Sequence, residues 1–223
     1  MCIRAGIFLL GLCLLSGCGG SSSSNTGNLR FVQGSPDAPM LNLLVDGKSV
    51  AGNLGYMNAT GYISVKDGSR HVQAVPVSGS SPVLDRTVTI AASGNQTLIL
   101  TGPAATAHSV LLTDGGTTAK TGDGYVRVVN ASGSMGTADV YIVPAGTGIA
   151  GLSPTSANLA VNSDTGYQLV PLGAYEVFMT APGTKNAFLD TGAINLATGA
   201  NQTVVGLDGL SGSGFAFTVL TDQ

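Results

Sequence analysis

Apolar residues in this chain recur in short runs, and turn-forming residues separate one run from the next. Asp46-Gly47 and Ser93-Gly94-Asn95 are such separators, because Asp, Asn and Gly favour tight turns. No long stretch carries a helical apolar stripe, although residues 104–108 are ambiguous. The pattern therefore predicts strands at residues 29–33, 41–45, 61–66, 71–77, 83–90, 96–100 and 109–113.

The same order of elements occurs a second time. Thr60-Gly61-Tyr62 recurs as Thr165-Gly166-Tyr167, and Arg30 near the start matches Arg127 at a shorter shift. A constant order with a drifting shift indicates duplication, with an insertion in the second copy after Val143. The period is too long for a solenoid repeat. The second copy is predicted to have strands at residues 125–130, 138–143, 167–171, 175–180, 187–196, 203–207 and 215–220.

Seven short strands in each copy, with frequent turns, are typical of a two-layer sandwich. We therefore predict an all-β protein with two tandem antiparallel β-sandwich domains, immunoglobulin-like or transthyretin-like. The domains are placed at residues 29–114 and 125–223, with a linker at residues 115–124. Neither domain has the Cys and Trp landmarks of antibody domains, so the strand order stays open.

The first residues have the features of a lipoprotein signal peptide. Arg4 is followed by an apolar run at residues 7–15, which is too short to span a bilayer as a helix. Leu15-Ser16-Gly17-Cys18 then resembles the bacterial lipobox, which implies cleavage after residue 17 and lipid attachment at Cys18. Residues 18–28 are predicted to be a flexible Ser/Gly tether. Because Gly19 replaces the usual Asp retention signal, the resemblance implies the outer membrane of a diderm bacterium, with periplasmic or surface orientation left open.

The composition excludes nucleic-acid binding and a fold that depends on disulfides. Charged residues make up 9% of the chain and the formal charge is −3, so there is no basic field for nucleic acid. Cys2 and Cys13 fall within the signal peptide, and the sulfur of Cys18 is assigned to lipid, so the mature body has no disulfide.

The start of the first copy carries a family resemblance. Leu29 to Pro39 includes Gln33-Gly34-Ser35-Pro36-Asp37-Ala38-Pro39, and Leu41 to Gly47 follows as a strand that ends in Asp-Gly. These residues resemble the start of the bacterial "domain of unknown function 4397" family. The second copy departs from the pattern, with Asn130-Ala131-Ser132-Gly133-Ser134 at the turn. The resemblance implies export and a β fold but brings no catalytic residues.

The candidate chemistry is sparse. His71 and His108 are placed at strand or surface positions, and no zinc, calcium or phosphate motif is present. Most Asp residues, Asp114 and Asp222 among them, fall at predicted turns or strand ends, where Asp bonds to the local backbone. We therefore predict no enzyme activity, no metal and no cofactor.

Three functions remain open. We favour a non-catalytic envelope module for binding or adhesion, with an envelope protein or polysaccharide as partner and the lipid anchor in the membrane. A structural spacer or assembly subunit is the alternative, and an exported hydrolase is the weakest. An exposed apolar patch would favour binding, whereas a rigid buried contact between domains would favour a spacer. Oligomeric state is not determined.

The candidate binding loops are those that differ most between the copies, namely Ser35, Pro36, Asp37, Ala38 and Pro39, and the longer loop from Gly146 and Thr147 to Asp164.

Lipidation at Cys18 predicts a direct chemical result. Cells grown with an alkyne fatty acid should incorporate it into the first peptide of the mature protein, as read by mass spectrometry. Cys18→Ala should abolish the label and block cleavage, because the thioether attachment precedes the cut. A mature protein without label would contradict the prediction.

Overall fold

The computed structural model describes residues 25–115 and 122–222. The predicted signal peptide, Cys18 and most of the tether and linker lie outside these residues. The first half, residues 25–115, contains β1 Thr26–Gln33, β2 Leu41–Val45, β3 Lys48–Leu54, β4 Ile63–Lys66, β5 Gly68–Pro76, β6 Leu84–Ile90, β7 Asn95–Thr101 and β8 His108–Asp114. The second half, residues 122–222, contains β9 Asp123–Asn130, β10 Ala138–Pro144, β11 Ser156–Leu159, β12 Ser163–Asp164, β13 Gln168–Pro171, β14 Gly173–Thr180, β15 Ala187–Asp190, β16 Ile194–Leu196, β17 Asn201–Asp208 and β18 Phe215–Asp222. Two 3-10 turns, Ala104–Thr106 and Leu210–Gly212, precede β8 and β18.

Four sheets are formed, two from each half, and the all-β prediction is confirmed. The inner sheets have the orders β4-β1-β7-β8 and β12-β9-β17-β18, with β13 also paired to β9. The outer sheets have the orders β3-β2-β5-β6 and β11-β10-β14-β15, with β16 also paired to β14. Among the described strands, each hydrogen-bonded pair lies within one half.

The sheets are not purely antiparallel, so that part of the prediction is wrong. β1 lies parallel to β7, and β9 lies parallel to β17. The physical reason is the route of the chain, which leaves β1 for the outer sheet and returns from β6 at the end where β1 began. The returning strand therefore runs in the same direction as β1, as crossover connections require.

The two inner sheets are buried on both faces. In β1, Leu29 and Phe31 pack into the core of the first half, whereas Val32 points to the other side and packs against residues of the second half. Between the inner sheets lies a shared apolar layer formed by Val32, Ile99, Leu112, Val129, Ala131, Val205, Leu207 and Leu220. The second half has its own core around Val128, Val177 and Val204. Four sheets thus stack face to face, at about 10 Å per layer.

Burial on two faces explains a sequence pattern. Thr97-Leu98-Ile99-Leu100 in β7 is buried throughout, whereas β6 in the outer sheet alternates between buried and exposed positions. A strand with a core on each side has no polar face, so it loses the alternation that marks a half-buried strand.

Some strands were not predicted. β3, β11 and β12 are short or polar edge strands, and the predicted strand at residues 187–196 is divided where Gly192 has a positive φ of 61°. Asn53 and Asn158 occupy equivalent places with φ of 56° and 55°. Asn tolerates this left-handed region better than most residues, which explains why Asn precedes Leu in both halves, as Asn53-Leu54 and Asn158-Leu159.

The strands of the two inner sheets share a direction. Arg30, the fifth of eight residues in β1, reaches Asp222 of the second half, which is paired with Asn201 at the start of β17. At the other end, Thr101 donates a hydrogen bond to Asn162 at 2.9 Å. β1 and β9 therefore begin at the same end of the molecule, which we call the proximal end. The opposite end, where β1 and β9 finish, is called the distal end.

The shared layer makes a testable contribution to stability. Ile99→Ala removes a fully buried side chain between the inner sheets, and we expect it to lower the free energy of unfolding by about 2–4 kcal/mol. Leu111→Ala on the neighbouring strand is the control, because that side chain is 36% exposed and its loss should change stability by less than about 1 kcal/mol. Urea denaturation measures both. Equal effects would contradict a shared buried layer.

Candidate functional site

Four charged side chains cross between the halves at the proximal end. Arg30 forms an ion pair with Asp222, and the Arg127 Nη2 lies 2.5 Å from an Asp114 carboxylate oxygen. Each arginine therefore takes its closest carboxylate from the other half. All four residues are buried. The guanidinium groups also donate to backbone carbonyls across the boundary, at Thr221 and Thr113.

Matching residues of each half complete this charge cluster. In the first half, the Arg30 Nε donates to the Thr97 hydroxyl at 2.9 Å and the guanidinium lies 4.7 Å from the centre of the Tyr62 ring. The Tyr62 hydroxyl donates to Asp114 at 2.9 Å. The equivalent residues Arg127, Thr203, Tyr167 and Asp222 repeat these contacts in the second half. The cluster thus follows an approximate two-fold axis.

The electrostatics favour a structural role. Two positive and two negative groups balance, and buried charges of this kind need such partners. Burial, reinforced by the nearby Asp114 carboxylate, raises the pKa of Tyr62, and burial with a hydrogen bond to Asp222 does the same for Tyr167. Both hydroxyls therefore keep their protons at neutral pH and act as donors to the carboxylates.

Two expectations change here. Asp114 and Asp222 do lie at strand ends, but their carboxylates bind side chains of the cluster. The identical Thr-Gly-Tyr in both halves indicates a shared packing role, so we expect Tyr62 and Tyr167 to be largely buried. They are half-buried, since their rings lie over the arginines at the edge of the interface.

The distal end carries a groove between the halves, which we call the interface groove. One part, of about 350 Å³, is lined by Pro36, Asp37, Pro103, Ser134, Asp208, Gly209, Ser211 and Gly212. An adjoining part, of about 290 Å³, is lined by Thr101, Gly102, Pro103, Thr106, His108, Gly133, Val161 and Asn162. Pro103 belongs to both parts. Since each half supplies part of the lining, the groove exists only when the halves are docked.

Carboxylates fix the turns beside the groove. In the first half, Asp37 accepts a hydrogen bond from the Ala104 N–H at 2.7 Å, tying the turn after β1 to the chain after β7. In the second half, Asp208 at the end of β17 accepts from the hydroxyls of Ser132 and Ser134. Equivalent segments are tied in both halves, but the carboxylate comes from the turn after β1 in the first half and from the end of β17 in the second. This exchange explains how the second half folds without the Pro-Asp-Ala-Pro turn.

The Asp208 carboxylate is held in its charged form. Burial alone raises the pKa of Asp208, but hydrogen bonds from Ser132, Ser134 and two backbone N–H groups outweigh it and bring that pKa below its ordinary value. At the neighbouring Tyr56, burial raises the pKa to about 12, and the neutral hydroxyl donates to the Asp208 carbonyl. The groove therefore has an anionic rim and a neutral phenol beside it.

The interface is symmetric at its proximal end and asymmetric at its distal end. Tyr56 and Met57 of the first half correspond to Val161 and Asn162 of the second. Thr101 likewise corresponds to Leu207, which is fully buried in the shared layer. Symmetric contacts suffice to dock two halves of similar topology. The asymmetric distal residues are therefore the part of the interface that docking explains least.

The candidate binding loops are only partly brought together. Pro36 and Asp37 line the interface groove, whereas Ser35 is fully buried, Ala38 packs against the first core and Pro39 is exposed beside it. Val161 and Asn162, from the longer loop, also line the groove. Sequence analysis missed Pro103 and Asp208; the only signal was the mismatch between the copies.

The rest of the longer loop lies elsewhere. Gly146 and Thr147 form a turn after β10 at the proximal end, where the Thr147 hydroxyl donates to the Pro144 carbonyl. The loop then folds over the outer sheet and buries Ile149 against Tyr141, Val143 and Phe178. Asp164 lies in β12, where it pairs with Val129 of β9, and its carboxylate accepts a hydrogen bond from the Gly166 N–H at 2.8 Å. Local folding thus accounts for these three residues.

The chain is similar to one family of known proteins. A family model described as a domain of unknown function (DUF4397) matches residues 27–141, which is more than half of the chain. The match covers the first half and continues into β10 of the second. No curated protein matches the chain. Within the described ranges, no group of His, Cys, Asp or Glu is placed to hold a metal ion, and no helix is long and apolar enough to cross a membrane.

The charge cluster predicts a large effect of a single substitution. Arg30→Met leaves a buried Asp222 without its closest cation, and we expect a loss of about 3–5 kcal/mol in the free energy of unfolding. Arg30→Met combined with Asp222→Leu should recover part of this loss, because no charge is then stranded. Arg70→Met is the control, since it breaks an exposed ion pair with Asp46, and such surface pairs contribute little to stability. Similar losses for Arg30→Met and Arg70→Met would contradict the role of the cluster.

Proposed function

Because the chain belongs to the family of the domain of unknown function DUF4397, whose description assigns no activity, we propose its function from its own architecture. We propose an exported, lipid-anchored, non-catalytic binding module of the cell envelope. Its two halves are tandem β-sandwich domains, and Cys18 carries the anchor. The ligand site is the interface groove, and the partner is an envelope protein or polysaccharide.

The interface groove is the observation that carries this proposal. Its walls come from both halves, and the turns on either side are tied by Asp37 and Asp208. A site whose walls are already fixed loses little conformational entropy when a ligand binds. Prolines and glycines give the groove an apolar floor, while hydroxyl and carboxylate groups offer orienting hydrogen bonds, as binding pockets commonly do.

The position of the groove also supports a binding role. A tether attached before β1 joins the body at the proximal end, whereas the groove lies at the distal end. β1 has eight residues, so the two ends are separated by roughly 25 Å along the strand. The anchor would therefore present the groove away from the membrane.

Exposed apolar side chains occur at the same distal end. Met40 precedes β2, Val77 follows β5, and Leu210 lies beside Ser211 of the groove; their exposed fractions are 58%, 48% and 54%. Met40 and Val77 are neighbours, because the Val77 N–H donates to the Met40 carbonyl at 2.9 Å. Adjacent exposed apolar side chains favour a binding role.

The spacer alternative has one observation in its favour. The contact between the halves is extensive and buried, as expected of a rigid spacer. However, the halves stack face to face with their strands side by side, so the second half adds thickness rather than length. A spacer gains most from an end-to-end arrangement, and the stacked arrangement therefore favours binding.

A pulldown from intact cells tests the proposal. Pro103 lines both parts of the groove and has extended backbone angles that any residue adopts, so Pro103→Trp should fill the groove without disturbing the fold. Crosslinking from cells should recover envelope partners with the unmodified protein and lose them with Pro103→Trp. Pro82→Trp is the matched control, an exposed proline in the turn between β5 and β6, and it should retain the partners. Identical partner profiles for both variants would exclude the groove, and no partner at all would favour the spacer.

A further inference from the structure

A second cleft lies at the proximal end of the first half, between the edges of its two sheets. It has a volume of about 280 Å³. Its floor is apolar and its rim carries three of the few cationic side chains of the protein. The lining residues are Val45, Asp46, Lys48, Val50, Ser64, Val65, Lys66 and Arg70. We call it the basic cleft.

The cations of the basic cleft are largely unused by the fold. The Lys48 and Lys66 side chains are exposed, and neither ammonium group has a hydrogen bond or ion pair with a described residue. Arg70 binds Asp46 at 3.0 Å through one terminal nitrogen, but its Nε is buried and has no partner among the described residues. With Asp46 counted, the lining keeps a net charge of two positive units. A buried donor without an acceptor is costly, and an anion at the rim would satisfy it.

The described cations elsewhere in the molecule are engaged. Arg30 and Arg127 lie in the charge cluster, Arg86 donates to Ser109, and Lys185 donates to the Tyr141 hydroxyl at 2.8 Å. Among residues 25–115 and 122–222, the unpaired positive charge is therefore concentrated in the basic cleft.

The second half shows that folding does not require these cations. The same place in that half is an apolar cleft, where Pro171 stands in place of Lys66 and Tyr175 in place of Arg70. Leu169 stands in place of Ser64 and is 57% exposed. Both clefts open at the proximal end, so this end combines a cationic site with an exposed aliphatic side chain.

The basic cleft lies where a tether would meet the body. Lys66 is the register partner of Thr26 at the start of β1, and the Asp67 N–H donates to the Asn25 carbonyl at 3.1 Å. The residues that precede β1 therefore enter beside the rim of the cleft. A lipid anchor on that segment would bring the cleft close to the headgroups of its own membrane.

We propose that the proximal end rests on the lipid surface, with the basic cleft holding a headgroup phosphate and Leu169 entering the interfacial region. The proposal rests on the proposed anchor, which sets the orientation. Arg70 and the two lysines supply charge-assisted hydrogen bonds to phosphate oxygens. Lysines close to an anionic membrane each contribute measurably to binding, and exposed aliphatic side chains add to it.

Vesicle co-sedimentation tests this surface without the anchor. The chain from Gly19, made without lipid, keeps every described residue and therefore all the contacts of the folded body. It should bind vesicles of phosphatidylglycerol mixed with phosphatidylcholine and not vesicles of phosphatidylcholine alone. Because this chain is never lipidated, the result is independent of the fatty-acid labelling of Cys18.

Matched variants separate the site from general charge. Lys66→Gln should weaken binding about fivefold, as expected for one cation near the surface. Arg86→Gln removes an equal charge outside the cleft and should have little effect. Leu169→Ser should weaken binding, whereas Leu210→Ser, similarly exposed at the distal end, should not. Equal losses for Lys66→Gln and Arg86→Gln, or no binding to anionic vesicles, would overturn the proposal.

The source of the phosphate is tested by competition. Inorganic phosphate at constant ionic strength should displace the protein from vesicles no better than chloride does if the site is built for headgroups. Displacement by phosphate alone would assign the cleft to a soluble phosphate and overturn the membrane interpretation.

Discussion

The exchange of ion-pair partners between the halves is the constraint on which the arrangement of the molecule depends. Each inner sheet carries one arginine and one aspartate on the face that it buries, and each arginine finds its closest carboxylate on the other sheet. Removing one partner of a buried pair costs far more than the complete pair contributes. The cluster therefore contributes less to net stability than to the alignment of the two halves. If the halves docked in a shifted position, all four charges would be buried without partners.

That alignment determines where the remaining surfaces lie. Arg30 and Arg127 each occupy the fifth position of their strands, β1 and β9. Since each binds the aspartate that ends the last strand of the other half, both strands must start at the same end. The turns that follow these strands then meet at the other end and form a groove that neither half has alone. The two ends consequently differ in chemistry: one gathers unpaired cations, and the other gathers prolines, hydroxyls and two ordered carboxylates.

Local patterns in the sequence predict the strands but not the relations between them. Predicted residues 41–45 coincide with β2, because a half-buried strand with Asp46-Gly47 after it has both of its signals nearby. The polar strand β3 escaped prediction because its stability comes from pairing with β2 rather than from an apolar face. The parallel pairing of β1 with β7 depends on the path of the whole half, which no local window contains.

The site illustrates the same limit. Arg30 and Arg127 were visible as matching residues of a repeat, yet nothing in one copy shows that its arginine pairs with the aspartate of the other. Asp114 and Asp222 were assigned to strand ends, which is their position but not their role. By contrast, the sequence differences between the halves did indicate Pro36, Asp37 and part of the longer loop. Positions that differ between the halves are those where a common packing role does not require the same residue.

The long separation between Arg30 and Asp222, 192 positions, has a consequence for how the chain assembles. Until the second half docks, the inner face of the first half is uncovered, and Val32, Ile99 and Leu112 on that face are apolar. An uncovered apolar face of this kind favours association with a wrong partner. Arg30 and Asp114 lie toward the proximal end of this face, and the arginine and aspartate of the second half are the charges that pair with them. The charges that stabilise the docked interface therefore also disfavour incorrect association. A wrong partner would bury Arg30 and Asp114 without the complementary charges that the second half supplies.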